Sequence, residues 1–102
     1  VSAYFLATML GKVHRADPSG SFQSLLPRAG MEGTLVQFLK GTPLQGKARL
    51  KSGTLRNVVC YAGYVEVGGK TYTVALMVNN FYGKASTVRN AMEEVLLEAF
   101  GY

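Results

Sequence analysis

The run Val58–Val67 is apolar on both parities, with Val58, Cys60, Ala62 and Tyr64 alternating with Val59, Tyr61, Val65 and Val67. Successive residues of a strand face opposite sides of its sheet, so a strand of this kind has to be covered on both faces. Gly68 and Gly69 follow and supply the positive φ angles that a two-residue hairpin turn demands, and Tyr72–Val78 returns as a second strong strand. The pair is therefore antiparallel, and the rest of the chain must be arranged to cover it.

Helices are available for that task at both ends. Val1, Phe5, Leu6, Met9, Leu10 and Val13 recur at spacings of three and four behind a capping Ser2, which predicts an amphipathic helix over residues 2–14, with Gly11 its weak point. Val88, Met92, Val95, Leu96 and Ala99 predict a second helix over 86–100, long enough to lie across one sheet face. Between the first helix and the strands, Arg15–Gly33 carries Pro18, Gly20, Pro27 and Gly30 and reads as a loop. Thr34–Lys40 reads as a short helix ended by Gly41. Residues 46–54 alternate cationic with small or apolar side chains, as an exposed or edge strand does. The predicted class is α+β, with an antiparallel sheet of about three strands flanked by helices and the C-terminal helix packed on it. Such a sheet is not self-sufficient: the strand at 71–79 has no sequence partner for its far side, and an open apolar edge invites pairing. The expectation is that residues 1–102 form part of a larger domain, or that the chain self-associates through 71–79.

Composition narrows the chemistry. A single cysteine, Cys60, excludes an internal disulfide and any multi-cysteine metal site, and its apolar neighbours predict an inert buried thiol. The net charge is +5, and Lys40, Lys47, Arg49, Lys51 and Arg56 fall in a stretch with no acidic residue, which should attract anions. Glu93, Glu94 and Glu98 read as a solvated helix face, and His14 as a residue at the end of the first helix, facing the helix dipole or solvent. The aromatics Tyr61, Tyr64, Tyr72, Phe81 and Tyr82 fall mostly on alternating strand positions and read as core rather than as a stacking platform, so no nucleic-acid partner is expected. Asn79 and Asn80 close the last strand and begin a turn.

The basic strand ends in Lys51-Ser52-Gly53-Thr54. A lysine there offers a point charge with three donors, suited to an anion or to sharing a proton with a hydroxyl. The hydroxyls of Ser52 and Thr54 can bind a carboxylate, Gly53 admits a close neighbour, and a free strand edge can pair with an extended peptide. Together these features describe a receptor for the C-terminal end of a peptide.

Three stretches place this strand in a wider context: LLPRAGMEGTL at 25–35, GTPLQGKARLKSGTLRNV at 41–58 and YAGYVEVGGKTYTVALMVNN at 61–80. Their order and spacing closely resemble the C-terminal part of the D-alanyl-D-alanine carboxypeptidases of the class C, low-molecular-mass penicillin-binding protein family, and the likeness covers essentially the whole chain. The resemblance implies the serine β-lactamase and transpeptidase-like fold, with Lys51, Ser52 and Gly53 as its Lys-Thr-Gly element; Ser52 departs from the commoner Thr but keeps the hydroxyl. It further implies that Lys51 acts catalytically beside a proton-relay serine and helps to bind the substrate's terminal carboxylate. The Thr54 N–H would supply half of the oxyanion hole. The implied substrate is a peptidoglycan stem peptide ending in D-Ala-D-Ala, attacked through an acyl-serine without metal or cofactor, with β-lactams as inhibitors and a periplasmic or cell-envelope location.

The acylating machinery itself is not in these residues. No serine stands three positions before a lysine, and none begins a Ser-x-Asn triplet. The expectation is therefore a C-terminal portion of an enzyme that is silent without the N-terminal part of its own domain. The alternative is a binding or assembly module that keeps the Lys-Ser-Gly strand without chemistry.

Overall fold

The computed structural model describes residues 2–55, 58–79 and 83–102. In chain order the elements are helix α1 (Ala3–Ala16), the one-turn helix α2 (Ser21–Ser24), a 3-10 turn at Gly33–Leu35, strands β1 (Ala48–Leu55), β2 (Val58–Val67) and β3 (Lys70–Asn79), and helix α3 (Ala85–Ala99). The strands form one antiparallel sheet in the order β1-β2-β3, so the doubly apolar strand is central, as its sequence predicts. Gly68 and Gly69 make the hairpin with φ of 62° and 77°.

One face of the sheet is closed by α3 and by the segment 29–44. Val59, Tyr61 and Val65 of β2 meet Ala48 and Leu50 of β1, Met92 and Leu96 of α3, and Leu35, Phe38, Leu39 and Leu44 in one continuous core. The other face is closed more sparsely by α1, where Leu10, Leu26 and Tyr64 form a second cluster. Tyr64 is 1% exposed and its hydroxyl donates 2.8 Å to the Leu10 carbonyl, so the phenol is satisfied inside the helix-sheet interface. His14 lies against the same ring at 5.5 Å between centroids. At the start of α1, Ser2 accepts from the Phe5 N–H at 3.0 Å, the expected N-cap.

Several expectations need correction. Residues 34–40 do not form a helix: Gly33 at φ 54° and Leu39 at φ 63° interrupt it, leaving a single 3-10 turn. Holding Leu39 left-handed costs about 1–2 kcal/mol, which full burial of its side chain, worth about 1.5–3 kcal/mol, offsets. The stretch 15–33 is not loop throughout, because α1 runs on to Ala16 and α2 follows. The basic strand begins at Ala48 rather than 46, Gly46 being a turn residue at φ 76°. Cys60 is only half-buried. On α1, which lies chiefly against β3 and secondarily against β2, only Leu10 is buried, while Phe5 and Met9 remain 57% and 44% exposed. Asn80, Phe81, Tyr82 and Arg56 lie outside the described residues.

Among the described residues no strand pairs with the outer edge of β3. Beside that edge runs a groove of about 700 Å³ lined by Val67, Tyr72, Val74, Leu76, Val95 and Phe100. Val95 is 55% exposed there, so the helical apolar pattern that includes it extends beyond the core that α3 closes.

At Gly63 the neighbouring strand leaves no room for a side chain: a Cβ at this position would overlap the Arg49 carbonyl oxygen. Gly63→Ala is therefore expected to destabilise the protein by about 3 kcal/mol, read as a lowered urea midpoint; an unchanged midpoint would show that the strands separate freely at this point.

Candidate functional site

Strand β1 carries the predicted site residues, and its pairing decides where each one points. The register sets Lys51 opposite Ala62, Ser52 opposite Tyr61 and Gly53 opposite Cys60. The Lys47 carbonyl accepts from Glu66 N–H on the β2 side, whereas the Ala48 carbonyl and the Leu50 N–H bond outward, to Ala29 N–H at 2.8 Å and to the Pro27 carbonyl at 3.2 Å. By this alternation the backbone groups of Ser52 and Thr54 also face outward.

The segment 27–29 thus occupies the outer edge of β1 up to the Leu50 N–H and then leaves it. Among the described residues, the Leu50 carbonyl and the Ser52 N–H have no partner across that edge. The Ser52 carbonyl accepts 2.8 Å from the Lys51 ammonium, which bends round the strand to reach it. A short stretch of edge from Leu50 to Thr54 is consequently open to an extended chain, with the exposed Lys51 amine at its middle.

Lys51 and Ser52 project to opposite faces of the sheet. Gly53 shares the Lys51 face, and a methyl group there would sit 3.0 Å from the Cys60 Sγ, so the glycine is set by the neighbouring strand's thiol. Ser52 lies on the face covered by α3, where its hydroxyl donates 3.1 Å to Thr34 Oγ1 of the 3-10 turn. The structure therefore keeps Lys51, Ser52 and Gly53 together around one edge but divides their side chains between two surfaces.

The basic stretch is less uniform than its sequence suggests. The guanidinium of Arg49 donates to the Ser24 and Leu26 carbonyls at 3.1 and 2.8 Å, so it ties the loop to the strand while keeping its charge. Arg28 pairs with Glu32 at 3.2 Å, and its backbone N–H and side chain hold the Glu32 carboxyl below the usual carboxylate range. Lys47 and Lys51 are exposed.

Beside Ser52 a cleft of about 550 Å³ opens between β1, β2, the 3-10 turn and α3, with Thr34, Ser52, Tyr61, Arg89 and Glu93 in its lining. Tyr61 is 4% exposed, stacks on Phe38 at 3.9 Å between centroids, and bonds through its hydroxyl to Arg89. Glu93 is fixed by accepting the Leu39 N–H at 2.5 Å. Thr34, Tyr61 and Arg89 were not legible as site residues. The β1–β2 register brings Tyr61 beside Ser52, and only the packing of α3 brings Arg89 there. Among the described residues no cluster of His, Cys, Asp or Glu could hold a metal ion, and no helix is long and apolar enough to cross a membrane.

Burial raises the Tyr61 phenol above its ordinary value of 10.0, against a smaller lowering by Arg89. A raised folded value means that the neutral phenol favours the fold below about pH 10, and that this contribution is lost as pH rises through the raised value. Tyr61→Phe is expected to remove one late-titrating phenolate from the ultraviolet alkaline titration; loss of an early-titrating one would contradict the packing described.

A sequence model of the D-Ala-D-Ala carboxypeptidase 3 (S13) family matches residues 1–99. No curated protein matches the chain significantly. Among solved structures, penicillin-binding protein 4 from Haemophilus influenzae superimposes over 100% of this chain with a TM-score of 0.83 at 19% identity. The same protein in complex with a novel β-lactam gives an equal TM-score and identity. This chain covers 25% and 26% of those two chains, about a quarter of their length. At that identity the likeness establishes the fold, an α+β transpeptidase-like architecture.

Proposed function

Because this chain belongs to the D-Ala-D-Ala carboxypeptidase 3 (S13) family, we propose that it is the C-terminal portion of a serine-type peptidase domain acting on peptidoglycan peptides that end in D-Ala-D-Ala. The observation that carries this reading is the β1 edge, closed as far as the Leu50 N–H and open over the next residues, with Lys51 beside the opening. An extended peptide laid along it gains backbone pairing, and the Thr54 N–H faces the same way, where it can support the oxyanion of a tetrahedral intermediate. Lys51 holds a proton and a positive charge near the reacting carbonyl and the serine machinery. That machinery is contributed by further chain, since these residues contain neither Ser-x-x-Lys nor Ser-x-Asn. β-Lactams would inhibit by forming a long-lived acyl-enzyme, and a peptidoglycan substrate implies action in the periplasm or cell envelope, with no metal or cofactor required.

The test is the intact mass of the full-length protein before and after incubation with benzylpenicillin. One added penicillin per chain is expected, with Lys51→Ala slowing its appearance at least about 100-fold and Ser52→Thr leaving it unchanged. A folded full-length protein that gains no mass would transfer the assignment to a non-catalytic peptidoglycan-binding or assembly module using the same edge.

The open outer edge of β3 and its groove belong to the same reading, as the place where the rest of the domain completes the sheet. The 102-residue chain alone is expected to be inactive and to associate through residues 71–79. Light scattering checks the association, and a stable monomer at micromolar concentration would overturn it.

A further inference from the structure

Gly11 stands in the interior of α1, where glycine is less favourable than alanine, and its backbone there is ordinary helix. A methyl group in its place would meet nothing closer than Arg15 Nη1 at 3.5 Å and Thr73 Cγ2 at 3.9 Å, so packing among the described residues does not demand a glycine either. What the missing side chain leaves is room in a groove of about 310 Å³ between α1 and β3, lined by Tyr4, Thr8, Gly11, Arg15 and Thr73 among others. The Arg15 side chain runs back along the helix over Gly11 and into this groove. Among the described residues Arg15 has neither an ion pair nor a hydrogen bond. No acidic residue occurs in α1 or β3, and Lys12 and Lys70 stand exposed on the same two elements. The groove is therefore positive and uncompensated.

It runs directly into the apolar groove beside the open sheet edge, since Tyr4, Ala7 and Thr73 line both. Glu66 bonds toward β1, and alternation from it through the β2–β3 register turns the backbone groups of Thr71, Thr73, Ala75 and Met77 toward that open edge. In an added strand, the residue opposite Thr73 shares its face and comes to lie beside Arg15. Its two neighbours in sequence fall on the other face, against Val95 and Phe100. We infer that the Arg15 groove is a socket for a carboxylate, carried opposite Thr73 by the strand that pairs with β3. The inference rests on the reading that further chain completes the sheet at this edge, and it adds the chemistry of that chain: an Asp or Glu with an apolar residue on each side. The occupant is a segment of the same protein outside residues 1–102, this chain covering 25% of the solved chain on which it superimposes. A second copy paired through its own β3 has no acid to offer. With the strand in place the pair is shielded from water, which strengthens the attraction between its charges.

The experiment uses the full-length protein with Thr8 replaced by p-benzoyl-L-phenylalanine, which puts a photo-cross-linker in the groove and leaves Arg15 intact. Peptide mapping is expected to find an intramolecular cross-link to a segment outside residues 1–102 that carries an acid between apolar residues. A cross-link between two copies, one confined to residues 1–102, one to a segment without an acid, or none at all would overturn the inference. The charge is then tested in the same protein. Arg15→Glu is expected to lower the urea midpoint by about 0.5 M, and Arg15→Lys by less. Changing the mapped acid to Arg in the Arg15→Glu background is expected to restore the midpoint, and failure to restore it would overturn the pairing. None of these readouts needs activity, so a protein that benzylpenicillin does not acylate loses the peptidase reading while the socket is still decided by the cross-link.

Discussion

The fold depends on the close approach of β1 and β2 around Gly63, where the absence of a side chain lets the neighbouring backbone at Arg49 and Leu50 come into contact. That contact fixes the register of the whole pair, and the register decides everything about the edge. Slipping it by one residue would exchange the faces of Lys51 and Ser52 and place Ala48 and Leu50, both fully buried, in solvent. The core therefore pins the site: the residues that bury the first half of β1 determine which groups its second half presents.

An edge strand is a hazard when it is open and a receptor when it is open over a chosen length. Here the segment 27–29 covers the first outward groups of β1, and the Arg49 guanidinium holds that cover down by two carbonyls. What remains exposed is short and carries at its middle a lysine ammonium that reaches its own strand's backbone at Ser52. Consecutive residues then serve two surfaces, Lys51 one side of the sheet and Ser52 the cleft under α3. The alternation that sends successive side chains to opposite faces lets one tripeptide present groups on both surfaces.

Much of the fold is legible in the sequence. The doubly apolar run of β2, the paired glycines of the hairpin, the Ser2 cap and the 3.6-residue pattern of α3 each specified an element, because each rests on local sterics or on one periodicity. The segment 34–40 was misread because its conformation is set by a tertiary demand: Leu39 adopts a disfavoured φ to reach the core, and no local signal announces it. The basic stretch looked uniform because a sequence does not say which cations are already engaged, and Arg49 is engaged with carbonyls more than twenty residues away. The cleft was invisible for the same reason. Thr34, Tyr61 and Arg89 come from three separate elements, and only the packing of Met92 and Leu96 against β2 brings α3 close enough to unite them.

Helix α3 therefore has two duties that its sequence pattern superposes. Met92 and Leu96 bind it to β2, while Arg89 and Glu93 turn toward Ser52 and Val95 and Ala99 turn toward the groove beside β3. Val95 and Ala99 lie outside the stripe that Met92 and Leu96 bury, so α3 carries a second apolar side. Among the described residues the uncovered side of α3 and the unpaired edge of β3 face the same groove, so a strand added there would also bury the helix's second apolar side. The position of Arg89 over the cleft is then stabilised from the far side of the same helix. The cleft beside β1 and the groove beside β3 are thus lined by two sides of one helix.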